Sequence, residues 1–172
     1  FFLWIIYVQP AINLKGRILG GILVAFAAQI LHFHIGVYYL GAFSVELFLV
    51  SIFYALVFST GHIWHEVIDW EADKQANNRT TAIVIGKYNA VWLGQLLFLI
   101  STLYWFLLNL LDYIPMEWLL PYLIAYIIQR IYFRMKDLRN NQSAELVLDY
   151  RRVYMLTYFV ATLVIFLAIQ TL

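Results

Sequence analysis

The chain has 172 residues, of which 64% are apolar and 12% charged, against about 45–50% and 25% in an average soluble domain. Those two departures exclude a water-soluble globular protein and point to lipid as the solvent. The net charge of +1, with basic residues spread over several loops, offers no face for nucleic acid, and the absence of cysteine excludes thiol chemistry.

The sequence opens with Phe1 inside an apolar run, 1–8, with no charged leader or cleavage site before it. This run reads as the stump of a membrane helix, so the chain is expected to be the C-terminal part of a longer bundle. A membrane-spanning helix needs about 20 mostly apolar residues. By that measure, complete spans are expected at 18–40, 43–64, 89–111, 115–134 and 150–172. The fourth is shortened by Gln129 and Arg130. The expected fold is therefore all-α: a single polytopic transmembrane domain over 1–172, with five complete spans and an N-terminal stump.

Five spans bring the connections before the first, between the second and third, and between the fourth and fifth to one membrane face. All eleven Lys and Arg residues fall on or beside those connections, while the opposite loops carry only Glu46, Asp112 and Glu117. The positive-inside rule makes the basic face cytoplasmic. The protein is thus expected to be an integral membrane protein, in the inner or plasma membrane if bacterial. The stretch 136–144 (KDLRNNQSA) reads as a solvated loop.

One segment departs from the apolar pattern: 61–81, GHIWHEVIDWEADKQANNRTT. At about 3.6 residues per turn, His62, Glu66, Asp69 and Asp73 fall within an arc of roughly 60°. His65 sits beside that arc and Glu71 points elsewhere. Ionisable side chains at membrane depth face the bundle interior or a wet cavity, and they mark functional sites. Helix C-termini favour cations, so carboxylates there call for a bound positive charge. Two carboxylates four residues apart, followed by Lys74 and Arg79, suit a polyphosphate carrying Mg²⁺, which is held by one or two carboxylates plus phosphate oxygens. Arg79 would contact phosphate bidentately. Thr80 or Thr81 is expected to cap a short helix, 82–85, closed by Gly86, whose N-terminal amides would face the anion.

This segment resembles the UbiA-type intramembrane prenyltransferases. Their bundles carry two aspartate-rich motifs, the second an Asp-x-x-x-Asp followed by a turn and a Thr-containing short helix. Asp69-x-x-x-Asp73, then Asn77, then 80–86 (TTAIVIG) keep that order and spacing. Tyr7, Pro10 and Lys15 match the family's Tyr-Pro-Lys element. The likeness runs from the end of the family's fourth helix to its ninth, so the chain resembles part of a nine-helix bundle. The family's first aspartate-rich motif is absent, Asn77 stands where a glycine is frequent, and His62, His65 and Glu66 replace other polar residues. Asn is the residue after glycine that best tolerates positive φ, so the turn is expected to survive.

The resemblance implies Mg²⁺-dependent transfer of a prenyl chain from an isoprenoid diphosphate to an acceptor, commonly aromatic or a quinone precursor. Asp69 and Asp73 would hold the metal. Tyr7, Lys15, Lys74 and Arg79 would bind diphosphate, and His62, His65 and Glu66 would face the acceptor. Aromatic residues, 19% of the chain, could line the prenyl cavity, although lipid contact is the commoner role for any one of them. With one of two motifs present, the chain alone is expected to be inactive.

Three other functions fit less well. A transporter would place its carboxylates near the midplane at broken helices. A CDP-alcohol phosphotransferase also has Asp-x-x-x-Asp, but its Asp-Gly-x-x-Ala-Arg lead-in is missing. A structural subunit would have no use for the acidic stripe. Elsewhere, His32 and His34 read as packed, hydrogen-bonded residues, Gln95, Asn109 and Gln129 as interhelical partners, and Arg151 and Arg152 as interfacial anchors.

Overall fold

The structure is a computed structural model and describes residues 5, 7, 9 and 12–170. Most of the expected stump at 1–8 and Pro10 lie outside the described residues. The rest is all-helical. Seven α-helices follow in order: α1 (Gly20–Tyr39), α2 (Val45–Ile68), α3 (Trp70–Gln75), α4 (Thr81–Ile85), α5 (Lys87–Leu110), α6 (Leu119–Met135) and α7 (Ala144–Gln170).

Four of these, α1, α2, α5 and most of α7, are long and apolar enough to cross a membrane. The expected span at 115–134 is shorter than its sequence suggests. Residues Met116–Trp118 form a 3₁₀ turn, and α6 has 17 residues. At about 1.5 Å per residue it covers roughly 25 Å of a hydrocarbon core of about 30 Å. The second span is longer than expected, because helix continues past 64 to Ile68, which carries Glu66 and Val67 into the packed interior and leaves His65 exposed.

Neighbouring long helices run antiparallel. Gly21 of α1 lies against His62 of α2, while Phe33 stacks on Tyr54 at 5.7 Å between ring centroids. Trp64 faces Gly94 of α5, and Phe53 meets Trp105 at 4.3 Å. Against α7, Arg151 Nε donates to the Gly61 carbonyl (3.1 Å) and Tyr154 Oη to that of Val57 (2.9 Å). Between α6 and α7, Gln129 Nε2 donates to Thr157 Oγ1 at 2.7 Å. These pairings bring the start of α1, the end of α2, the start of α5, the end of α6 and the start of α7 to one end of the bundle. All the basic residues share that end with the acidic segment, as their distribution along the chain implies.

Helix α2 is central, packed by α1, α5 and α7. More than half of its apolar span is buried, 56% against 28% for α1 and α7. Its core is aromatic: Phe53, Trp64, Phe98, Trp105, Tyr122, Tyr154 and Tyr158 pack edge-on or tilted, and such pairs contribute about 0.5–1.5 kcal/mol each beyond area burial. The phenol oxygens find partners inside the bundle, since lipid supplies none. Tyr54 and Tyr122 hydroxyls are 2.6 Å apart, and Tyr122 is 2.9 Å from Thr162 Oγ1.

The minor polar expectations divide. Gln129 bridges helices, and Gln95 does so twice, donating to Tyr150 Oη (2.9 Å) and accepting from Arg130 Nη1 (2.7 Å). Asn109 instead donates to the Ile114 carbonyl (3.2 Å), which closes the turn after α5. His34 Nδ1 lies 2.9 Å from the Ile30 carbonyl among Phe43 and Phe48, as expected, but His32, two residues and about 200° round the helix from it, is exposed.

Gly94 is where α5 comes closest to α2. A Cβ there would meet the Trp64 indole, with Cε2 at 2.8 Å and Cδ1 at 2.9 Å. Gly94→Ala is expected to cost about 1–3 kcal/mol of stability by overpacking and to lower the melting temperature in detergent. Gly36→Ala, whose Cβ meets nothing within 4 Å, is the control and should not lower it.

Candidate active site

The end of α2 is distorted at Asp69 (φ −81°, ψ 4°), yet helical hydrogen bonding passes through it. Asp69 N donates to the His65 carbonyl and Asp73 N to that of Asp69, each at 2.9 Å. The angular register of the acidic stripe therefore carries from α2 into α3. His62, His65, Glu66, Asp69 and Asp73 line one cavity of about 90 Å³ together with Tyr7, Lys15 and Thr80. Seven of these eight are residues the sequence singles out as site candidates, and Thr80 it reads as a cap.

The two carboxylates of the Asp-x-x-x-Asp motif have different surroundings. Asp73 is buried, and its Oδ1 accepts from Asn78 Nδ2 at 2.9 Å while Asn78 N donates to the Asp73 carbonyl at the same distance. Asn78 can do this because Asn77 adopts φ 52°, which turns the chain back sharply, as expected for the residue in the glycine position. Asp69 is half-exposed, with His65 Nε2 3.6 Å from its Oδ2. Glu71 points outward and pairs with Lys87 Nζ at 3.1 Å.

The turn that carries Lys15 is docked on the loop after α3. Asn13 (φ 43°) accepts from Gly16 N, Gly16 O accepts from Arg79 N (2.9 Å), and Leu19 N donates to Thr81 Oγ1 (2.9 Å). Lys15 is thereby brought to the acidic helix end from about fifty residues away. Lys74 and Arg79, the other expected phosphate ligands, are exposed and do not line the cavity. Their positions follow α3 and its turn, which aim them to solvent.

The short helix starts at Thr81, with Gly86 closing it at φ 88°. Thr80 occupies the cap position without a side-chain capping bond, so the expected cap is absent and Thr81 Oγ1 binds Leu19 instead. The amide expected to face an anion is taken: Ala82 N donates to Glu66 Oε2 at 3.0 Å in a buried site. A protein carboxylate thus sits on this helix N-terminus, and Glu66 Oε1 is 3.8 Å from His62 Nε2. Glu66 has a positioning role that its place among the acceptor-facing residues does not suggest. Thr80 Oγ1 is buried in the cavity wall with no hydrogen-bond partner among the described residues.

A second cavity, about 170 Å³, opens deeper in the bundle and is walled mainly by Tyr54, Val57, Phe58, Tyr154, Met155 and Tyr158, with Gln29, Gly61 and Arg151. His62 lines both cavities. Arg151, read from sequence as an anchor, is turned inward onto Gly61 O, whereas Arg152 faces out. The sequence holds no signal for which of two adjacent arginines faces in, since each sits about 100° from the other on the helix. Asn78 and Arg151 are the site residues that sequence reasoning misses.

Hard oxygen donors suit Mg²⁺, and Asp69 and Asp73 fit a metal that keeps waters and takes its remaining ligands from a phosphorylated substrate. Among the described residues, no cluster of three or more His, Asp or Glu could hold a metal unaided. The orphaned Thr80 hydroxyl and the Lys15 ammonium in the same cavity fit a phosphate partner better than a closed protein cage.

An all-helical bundle with four membrane-length apolar helices, and an acidic, lysine-bearing cavity beside an aromatic one, describes an integral membrane protein. A sequence model of the UbiA prenyltransferase family matches residues 1–155, and the chain belongs to that family. Its class is therefore that of the intramembrane prenyltransferases. No curated protein and no solved structure matches the chain.

Removing the Glu66 carboxylate would leave the Ala82 amide buried without a partner, a loss of about 1–3 kcal/mol. Glu66→Ala is expected to lower the melting temperature accordingly, and Glu66→Gln, which keeps an acceptor oxygen, to lower it less.

Proposed function

We propose that the protein transfers a prenyl group from an isoprenoid diphosphate to a hydrophobic acceptor of the aromatic or quinone-precursor class, within the membrane. The observation that carries this reading is the meeting of the two cavities at His62. One has carboxylates, a lysine and a tyrosine for a metal-bound diphosphate; the other has the aromatic wall that a prenyl chain requires.

In this reading Asp69 and Asp73 would hold Mg²⁺, while Lys15 and Tyr7 would bind diphosphate oxygens. When bound, Mg²⁺ offsets the negative charge that develops on the departing diphosphate. The bond between the prenyl C1 and the diphosphate oxygen breaks with its electron pair on oxygen. The acceptor carbon bonds to C1, and the proton it loses passes to a base near the cavity junction, where His62 stands. Tyr54, Phe58, Tyr154 and Tyr158, which wall this cavity, would keep water from the allylic cation and offer aromatic rings for cation–π contact. Lys74 and Arg79 are secondary candidates, outside the cavity as it stands. The family reaction uses two facing carboxylate motifs, so residues 1–172 by themselves are expected to be inactive and a first motif on further helices to complete the site.

In the full-length protein, Asp69→Asn and Asp73→Asn are each expected to cut prenyl transfer by at least about 10²-fold, the scale of losing one preorganised electrostatic contact. Glu71→Gln, whose carboxylate pairs with Lys87 outside the cavity, should have little effect. Transfer measured with a radiolabelled diphosphate, with melting temperatures checked for all three, decides the matter. Equal damage from Glu71→Gln, or activity that survives EDTA, would refute the reading.

The one-ended distribution of basic residues supports placing the acidic cavity on the cytoplasmic side. The chain has no native cysteine, so single cysteines report topology directly. Asn141→Cys is expected to react with impermeant maleimide only from the cytoplasmic side, and Met116→Cys, exposed in the opposite connection, only from the other. Labelling of both from one side would overturn the assignment.

A further inference from the structure

The basic end of the bundle holds another cavity, separate from the acidic one. It lies between α5, α6 and the turn after α6, measures about 240 Å³, and is lined by Trp92, Arg130, Phe133, Arg134, Asp137 and Arg139. Three guanidinium groups face one carboxylate, which leaves an excess of two positive charges. The ion pairs among the described residues are His62–Glu66, His65–Asp69, Lys87–Glu71 and Lys136–Asp149, so none of these arginines is paired with an acid. Asp137 is engaged elsewhere, its Oδ1 accepting from Asn140 Nδ2 at 2.9 Å.

The wall is built rather than incidental. Arg130 is half-buried, held by Gln95 Oε1 at 2.7 Å and lying 5.7 Å from the Phe133 ring centroid. This contact uses one N–H group and leaves the others to the cavity. Trp92 Nε1 is buried without a hydrogen-bond partner among the described residues. The free donors of the wall thus await an acceptor, and an oxyanion supplies several at once. Leu96 and Leu99, on the Trp92 face of α5, and Ile127, on the Arg130 face of α6, are exposed, as lipid-facing positions are. The ligand chemistry is accordingly an anion joined to an apolar body.

We propose that this cavity binds the phosphate headgroup of an anionic phospholipid, with its acyl chains along the α5–α6 face. Guanidinium groups match phosphate oxygens bidentately, and a basic pocket between membrane helices selects anionic headgroups over zwitterionic ones. The site is independent of the acidic cavity and of the reaction assigned to it.

The test is native mass spectrometry of the full-length, delipidated protein titrated with phosphatidylglycerol or phosphatidylcholine. The wild-type protein should retain phosphatidylglycerol adducts under activation that strips phosphatidylcholine. Arg134 and Arg139 are exposed, so an Arg134→Gln/Arg139→Gln double variant should keep its melting temperature while losing at least about tenfold in phosphatidylglycerol affinity, given roughly 1 kcal/mol per basic residue. Lys136→Gln/Arg152→Gln removes the same charge outside the cavity and should lose far less. Equal retention of the two lipids by the wild type, an equal loss in the second variant, or displacement of the lipid by excess inorganic phosphate would each overturn the proposal. The last would mark a soluble phosphate ion as the ligand.

Discussion

Lipid supplies no hydrogen bonds and does not tolerate bare charge, so a membrane helix bearing the buried Glu66 has to be shielded there by its neighbours. That requirement makes α2 the axis of the bundle. α1 approaches it at Gly21, where a side chain would strike His62 and Glu66, and α5 approaches at Gly94 against Trp64. α7 supplies Arg151 and Tyr154, whose donors satisfy the Gly61 and Val57 carbonyls. The outward faces of the surrounding helices are left to Leu, Ile and Phe.

The same shielding explains how a polar site is held at a helix end. The buried Glu66 carboxylate takes a hydrogen bond from the Ala82 amide, with His62 Nε2 3.8 Å away, and the amide bond fixes the short helix α4 against α2. Through Thr81, α4 anchors Leu19, and the Gly16–Arg79 backbone bond fixes the Lys15 turn beside it. One buried acid therefore organises three segments that are distant in sequence. The cost is that Glu66 and the α4 amide are already paired with each other, so on the proposed reading the cationic partners left to a diphosphate would be Lys15 and a metal on Asp69 and Asp73.

The division of the interior into two cavities follows from the position of the aromatic core. Tyrosines satisfy their hydroxyls through Thr162, Val57 and Gln95 while presenting ring edges and faces to the apolar space. On the proposed reading, an amphipathic prenyl diphosphate would lie across this partition, its charged end among the carboxylates and lysine and its hydrocarbon along the rings. The separate arginine-lined cavity between α5 and α6 shows that positive charge at this end is not gathered around the acidic site alone.

Much of this was legible in the residues themselves. Helical spans follow from apolar run length, and the one-ended placement of the basic residues follows from counting connections. The common wall formed by His62, Glu66, Asp69 and Asp73 follows from helical periodicity, which persists because hydrogen bonding passes through Asp69. Asn77 at positive φ follows from its side chain's tolerance of that region. What tertiary structure alone decided are pairings across long separations: Glu66 with Ala82, Gly16 with Arg79, and Arg151 rather than Arg152 with Gly61, ninety residues away. Periodicity states which residues share a face, but not which face a neighbouring helix presents to it. That choice is made by the close approaches at Gly21 and Gly94 and by the need to satisfy every buried polar group within the bundle.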